Sequence, residues 1–331
     1  MSNLNKNISR RCLFLTASLA AVFSVMDVIL GIYRRFKDTS FDCLGWFNCG
    51  GSFYVSDGGL ISALNYYISV VGWTDLIHEI SYIILVLLVT FLAVYSWLVL
   101  KNDKYPFRLP IFILFLVFWQ SILSIWSDDI LFWPQIALID FLMGIATCVL
   151  LWILALRFDG KQWLASKKVI DRFDKIKPWV TLAIIITLLE ITLGGWTSVK
   201  FASFACPDFP SCQSSWWPNM DLKEGFNFIK PSSLEVLESK ARVAINVIHR
   251  LAALVSIFYF LGLAIFLSTF SDYRVKRVGV NLIAVLIIQI VLLTYAGYSR
   301  DPVILTIFHS LGSLMLLLIS VGLASRMAYA K

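Results

Sequence analysis

The chain has 331 residues, 59% hydrophobic and 15% charged, with a mean hydropathy of +0.80. A soluble domain carries roughly 45–50% apolar residues, so composition excludes an ordinary soluble protein. The net charge of +7 does not point to nucleic acid, because the basic residues fall between long apolar runs. Met1 to Arg11 is polar and basic, and the apolar run after it is long enough to span a bilayer. It reads as a retained first helix rather than a cleaved signal peptide, and the adjacent Arg10 and Arg11 are a weaker match to a twin-arginine address. A crossing needs about 20 apolar residues. Eight runs qualify: 12–32, 73–98, 109–127, 134–156, 178–199, 243–268, 278–298 and 303–325. They are continuously apolar rather than alternating, which predicts helices. The expected fold is an all-α membrane protein with eight transmembrane helices, and twelve Trp and twelve Tyr suit its two aromatic belts.

Lys and Arg set the orientation. With the N-terminus in the cytoplasm, the inner segments hold Lys6, Arg10 and Arg11; Lys101, Lys104 and Arg108; the basic run from Arg157 to Lys177; Arg274, Lys276 and Arg277; and Arg326 and Lys331. The positive-inside bias then holds in every one of them, and both termini are cytoplasmic. The long segments 33–72 and 200–242 face the other side. The run between Arg157 and Lys177 reads as a solvated linker between two halves, 1–160 and 178–331.

The halves repeat. Leu193-Gly-Gly-Trp-Thr-Ser198 leaves a span and leads to Cys206-Pro-Asp-Phe-Pro-Ser-Cys212. At an offset of 163, Gly31 matches Gly194, Lys37 matches Lys200, and Cys43 and Cys49 match Cys206 and Cys212. Asp27 and Glu190 share that offset, Gln120 and Gln289 stand 169 apart, and His78 and His249 stand 171 apart. Four spans per half predict two four-helix bundles of the same orientation, a parallel repeat. The 169 offset places Asp140 opposite His309.

His78, His249 and His309 are the three histidines of the chain, and all lie in apolar runs. An ionisable group inside a membrane is a functional candidate, although a lone one also serves packing. The second half carries one His on each of two helices, which suits bis-imidazole haem ligation in a four-helix bundle. Zinc is the competing reading and wants more ligands than two. Cys43, Cys49, Cys206 and Cys212 lie in outer loops, where disulfides are favoured over metal ligation. Cys12 and Cys148 read as free and structural.

Asp27 and Glu190 each precede a Gly by four residues, and can cap, accept neighbouring donors, supply protons or orient a histidine. Asp75 and Asn246 each lie three residues before a His, on the same helical face. A carboxylate there can act as acid or base, or sit at a helix start near the headgroups. Arg250 can pair with a haem propionate or snorkel to the interface.

At these residues the chain resembles the haem A synthase family of cytochrome oxidase assembly. The motifs that carry the resemblance are Leu193 to Ser198, Cys206 to Cys212, Trp216-Trp-Pro218, Ile248-His-Arg-Leu251, the His309 helix, and the Gln120 and Trp133-Pro134 segments. It covers nearly the whole chain. It implies eight helices in two halves with a pair of His in each, and oxidation of the C8 methyl of haem O to a formyl group, with water as the oxygen source. It further implies haem b in the C-terminal half, held by His249 and His309 with Arg250 beside it, and haem O in the N-terminal half, with His78 on its iron and Asp75 as the family acid. The implied partners are the enzyme that makes haem O, oxidase assembly factors and membrane lipid, with no nucleic acid and with homo-oligomerisation left open. The lack of an Arg-rich amphipathic transit segment favours a bacterial inner membrane.

The N-terminal half departs from the pattern. Asp140 stands where the second His is expected, Glu79 follows His78 where an Arg is usual, and the loop Cys43-Leu-Gly-Trp-Phe-Asn-Cys49 lacks the Pro-Asp of its partner. Two other readings stay open at this stage. One is a non-catalytic haem b-binding paralogue in oxidase assembly or electron transfer. The other is a membrane protein, such as a transporter, whose histidines are structural.

Overall fold

The computed structural model describes residues 3–38, 72–99, 107–126, 133–160, 163, 167–228, 237–296 and 302–328. Among them the secondary structure is helical: α1 Asn3–Asp38, α2 Trp73–Val99, α3 Arg108–Trp126, α4 Trp133–Asp159, α5 Lys167–Val199, the single turn α6 Leu222–Gly225, α7 Ser239–Ser268, α8 Tyr273–Ala296 and α9 Pro302–Ala328. Seven of these are long and apolar enough to cross a membrane, and α3 contributes a shorter apolar stretch, Arg108–Leu123. The segment 161–177, expected as a linker, is helical from Lys167 and continues without a break into the apolar part of α5. Hydroxyls within the helices return to the carbonyl four residues earlier, as Thr187 to Ala183 and Thr197 to Leu193 do at 2.8 Å. That bond satisfies a polar side chain where no water competes.

The chain divides into two compact units, and α4 contributes to both. The first contains residues 1–128 and 143–158, and the second contains 129–142 and 159–331. In the first, α1 packs on α2 and α2 on α3. Leu13, Ala17, Leu85, Val89, Ile113 and Leu151 form its core, so the C-terminal part of α4 joins these three helices. In the second, α5 packs on α7, α7 on α8, α8 on α9 and α9 on α5, which closes a ring of four helices. Val180, Phe260, Leu267, Leu282 and Leu316 fill its centre. Leu189, Phe258 and Ile287 are exposed, as lipid-facing positions of spanning helices are.

The end of the second unit where α5 stops is built on Trp196, which is 1% exposed. Its indole N–H donates to the carbonyl of Gly225 at 2.9 Å, and its ring meets Phe228. Gly195 lies close beneath it, and a Cβ there would stand 2.7 Å from Leu138 Cδ1, so that side chain would have to move. Helix α5 ends when Phe201 turns to a φ of 52° and Ala202 N–H reaches back to Thr197 at 2.9 Å. This is the left-handed stop that glycine usually supplies.

Candidate functional site

In the second unit, three helices of the ring each deliver one polar group to a common place: Glu190 from α5, His249 from α7 and His309 from α9. The two imidazole rings lie 6.2 Å apart, centre to centre, at 75° to each other. Two imidazoles on opposite sides of one metal ion, with bonds of about 2 Å and ring radii of about 1.2 Å, stand roughly 6.4 Å apart. The observed spacing would admit one metal ion between the two rings. Glu190 Oε1 lies 3.5 Å from His249 Nδ1, on the side where a ligating histidine usually meets a carboxylate. Gly194 leaves open the space beside the ring, since a Cβ there would sit 3.4 Å from His249 Cε1.

Several buried polar atoms of this unit have no hydrogen-bond partner: both Glu190 oxygens, His249 Nδ1, Asn246 Oδ1 and the amide of Gln289. Gln289 lies against Gly312, one turn along α9 from His309. Buried polar groups are seldom left so. Their gathering around the histidine pair fits a site made for a further group. Among the described residues no three His, Cys, Asp or Glu side chains are grouped as a metal-binding set, whereas tetrahedral zinc needs at least three protein ligands. The donor set present fits a haem.

Over this pair lies the loop from Phe201 to Trp217. Cys206 and Cys212 form a disulfide across it. Asp208 organises the turn, accepting from Ser211 Oγ at 2.6 Å and from the backbone N–H groups of Gln213 and Ser214 at 2.7 and 2.8 Å. The Ser211 hydroxyl first, then the Ser214 and Gln213 amides, hold its carboxyl down at about 2. The loop is fastened to α7 by two residues that flank the histidine. Asn246 donates to the carbonyls of Ala202 and Ser203 at 2.9 and 3.2 Å. Arg250 donates to those of Cys206, Asp208 and Ser211 at 3.0, 3.0 and 2.9 Å.

In the first unit the counterpart is charged. His78 Nε2 lies 3.1 Å from Asp27 Oδ1. Arg34 Nη1 donates to His78 Nδ1 at 3.2 Å, and Arg34 Nε lies 2.8 Å from Asp75 Oδ1. Sequence reading had singled out Asp27, Asp75 and His78, and the structure brings them together around Arg34, which it had passed over. The signal was available: Asp27, Gly31 and Arg34 follow the i, i+4, i+7 spacing of one helical face. Deeper in this unit Gln120 Oε1 accepts from Thr147 Oγ1 at 3.0 Å, beside Gly144. Cys148, expected free, is buried with its sulfur 3.1 Å from Ser24 Oγ. Asp140 is half-buried in the part of α4 that belongs to the second unit, while His78 belongs to the first. Cys43 and Cys49 lie outside the described residues.

With that geometry in view, comparison with known proteins is decisive about family. Residues 13–321 match the family described as cytochrome oxidase assembly protein (COX15-CtaA). The chain belongs to that family. It is also similar to a protein of Shewanella oneidensis named heme A synthase, with 28% identity over 318 residues, 91% of this chain and 92% of that one. The match runs through both units, so the His78 surroundings and the His249–His309 pair both fall within the family region.

Proposed function

We propose that this chain is a haem A synthase, oxidising the C8 methyl of haem O to a formyl group and so providing haem A for cytochrome oxidase assembly. The observation that carries the reading is the His249–His309 pair at 6.2 Å, in a chain similar over nearly its full length to a heme A synthase. Turning a methyl into a formyl group takes one oxygen from water and releases four protons and four electrons. Such a site needs carboxylates or imidazoles to receive protons and a one-electron carrier to take electrons away.

In this proposal His249 and His309 hold a haem b, which when bound supplies one-electron transfer. Glu190 faces His249 Nδ1 and so keeps Nε2 for the iron. Arg250 keeps the disulfide loop in place and sets a positive charge beside His249 that a propionate can use. The half formed by residues 1–160 takes haem O as substrate, with Asp75 and Asp27 as its proton-accepting carboxylates and His78 between them. The half from 178 to 331 is the haem b side, and 161–177 joins them.

The paired contacts support a duplicated chain. Asp27, Gly31 and His78 meet in one unit as Glu190, Gly194 and His249 do in the other, and Gln120 meets Gly144 as Gln289 meets Gly312. With α3 as a further crossing of about 20 residues, the proposal is eight spans in two parallel four-helix repeats. The membrane is the bacterial inner membrane, with both termini cytoplasmic. The partners are the enzyme that makes haem O, oxidase assembly factors, membrane lipid and, in an oligomer, further copies of the chain.

The test is to purify the protein from cells that make haem O and to identify its extracted pigments by reduced spectrum and mass. Haem A with haem b is the expected result. Haem b alone would replace the enzyme reading with the non-catalytic one, and a colourless preparation would remove both.

A further inference from the structure

The contact between Arg34 and His78 fixes more than position. A guanidinium can only donate, so His78 Nδ1, 3.2 Å from Arg34 Nη1, must accept and carries no hydrogen. The neutral ring then has its proton on Nε2, which faces Asp27 Oδ1 at 3.1 Å. Arg34 is itself held from the other side, with Nε 2.8 Å from Asp75 Oδ1. Asp27 and Arg34 come from α1, Asp75 and His78 from α2, and these two helices pack on each other. Gly31, between the two α1 residues, lies beside Nε2, and a Cβ there would stand 4.0 Å from it, an ordinary contact.

An imidazole ligates a metal through a nitrogen without a proton, while the other ring nitrogen donates to a carboxylate, carbonyl or water. His249 is arranged that way: Nδ1 faces Glu190 and Nε2 is left. His78 is arranged the opposite way. Its bare nitrogen is covered by Arg34 and its protonated nitrogen lies 3.1 Å from Asp27 Oδ1. The chain also has only three histidines, so the first half has no second imidazole with which to form an axial pair.

We propose that Arg34 is a positioning residue that holds His78 as the Nε2–H tautomer, so that His78 meets the substrate as an N–H donor shared with Asp27 and not as a ligand of the substrate's iron. The identity of the substrate rests on the haem A synthase reading above; the tautomer does not. It revises what family resemblance alone implies for His78, and it gives Arg34 the task of orienting the ring.

Three histidines make the test tractable. Full-length protein is labelled with ring-¹⁵N histidine, reconstituted in lipid bilayers and studied by ¹⁵N NMR, with His78→Gln identifying the His78 signals by their loss. The expected spectrum shows a bare Nδ1 and a protonated Nε2 for His78. Arg34→Gln should lose that single tautomer, and Arg34→Lys, which keeps a cationic donor, should restore it. A protonated Nδ1 in the unaltered protein, or an Arg34→Gln spectrum identical to it, overturns the proposal. In a second arm haem O is added, and its visible and EPR spectra are compared with and without His78→Gln. Unchanged axial ligation of the added haem supports the proposal, and any change in its ligation on removing His78 overturns it. If the tautomer behaves as expected but haem O is never converted, the enzyme reading fails and the role of Arg34 stands. If conversion occurs and the tautomer is wrong, the reverse holds.

Discussion

The surroundings of His78 and His249 occupy matching places in sequence but present different chemistry. Beside His78 stand the charged groups Asp27 and Arg34, and Asp75 pairs with Arg34. Around His249 the same helical positions are largely neutral. Thr197 stands 163 residues after Arg34, and Asn246 stands where Asp75 does, three residues before the histidine. Asn246 binds loop carbonyls rather than an arginine, and Thr197 returns to its own helix. The carboxylate that both sites keep meets opposite ring nitrogens, Nε2 in one and Nδ1 in the other. An arginine and an aspartate in place of a threonine and an asparagine separate a ring bound up in ion pairs from one that faces a single carboxylate.

The comparison is broken most severely by moving the charges. Thr197→Arg with Asn246→Asp would write the first site's pair into the second. It should reduce bound haem b at least tenfold, about 1.4 kcal/mol or more of binding, by drawing His249 Nδ1 away from Glu190; the haem-to-protein ratio measures it. Asn246→Asp alone should be poorly stable, because an unpaired buried charge costs about 3–5 kcal/mol; the thermal midpoint in detergent would show it. Next in size is Arg250→Gln, which leaves three loop carbonyls without a charged donor. A loss of about 2–3 kcal/mol is expected from hydrogen bonds to charged groups, read as faster proteolysis of the 201–217 loop. Cys206→Ser with Cys212→Ser should cost about 2 kcal/mol for so short a loop, read by the same cleavage.

The smallest effect is confined to acid. Asp208 has a lowered carboxyl, about 2 against the ordinary 3.8. Its contribution is therefore complete above about pH 4 and lost as pH falls through 2. Exchange of the Gln213 and Ser214 amides, corrected for intrinsic rate, should stay protected down to about pH 4 and lose protection towards pH 2. Asp208→Asn should remove that pH dependence; an unchanged profile would show that Asp208 does not govern the turn.

Much of this was legible before any coordinates. Apolar runs of the right length announce spanning helices because lipid demands them, and seven of the described helices meet that standard. The matches between the halves singled out Asp27 and Glu190 at an offset of 163 and His78 and His249 at one of 171, with each carboxylate a candidate to orient a histidine. The pairing of Cys206 with Cys212 followed from their shared loop. What was not legible depends on side-chain reach. Arg34 was hidden because a basic residue at a span's end is the ordinary positive or interfacial residue, and only the packing of α1 on α2 turns it towards Asp75. Arg250 was read towards a propionate, while its guanidinium spends three bonds on loop carbonyls, which no spacing rule foretells. The division of α4 between two units was equally silent, because a uniformly apolar helix does not advertise its neighbours.

The most direct test of the account is the low-spin haem signal of the purified protein, measured by EPR and by reduced-minus-oxidised difference spectra in three variants. His249→Ala and His309→Ala should each abolish the bis-imidazole signal, and His78→Ala should leave it intact. A low-spin spectrum that survives both His249→Ala and His309→Ala, or that disappears in His78→Ala alone, would contradict the assignment.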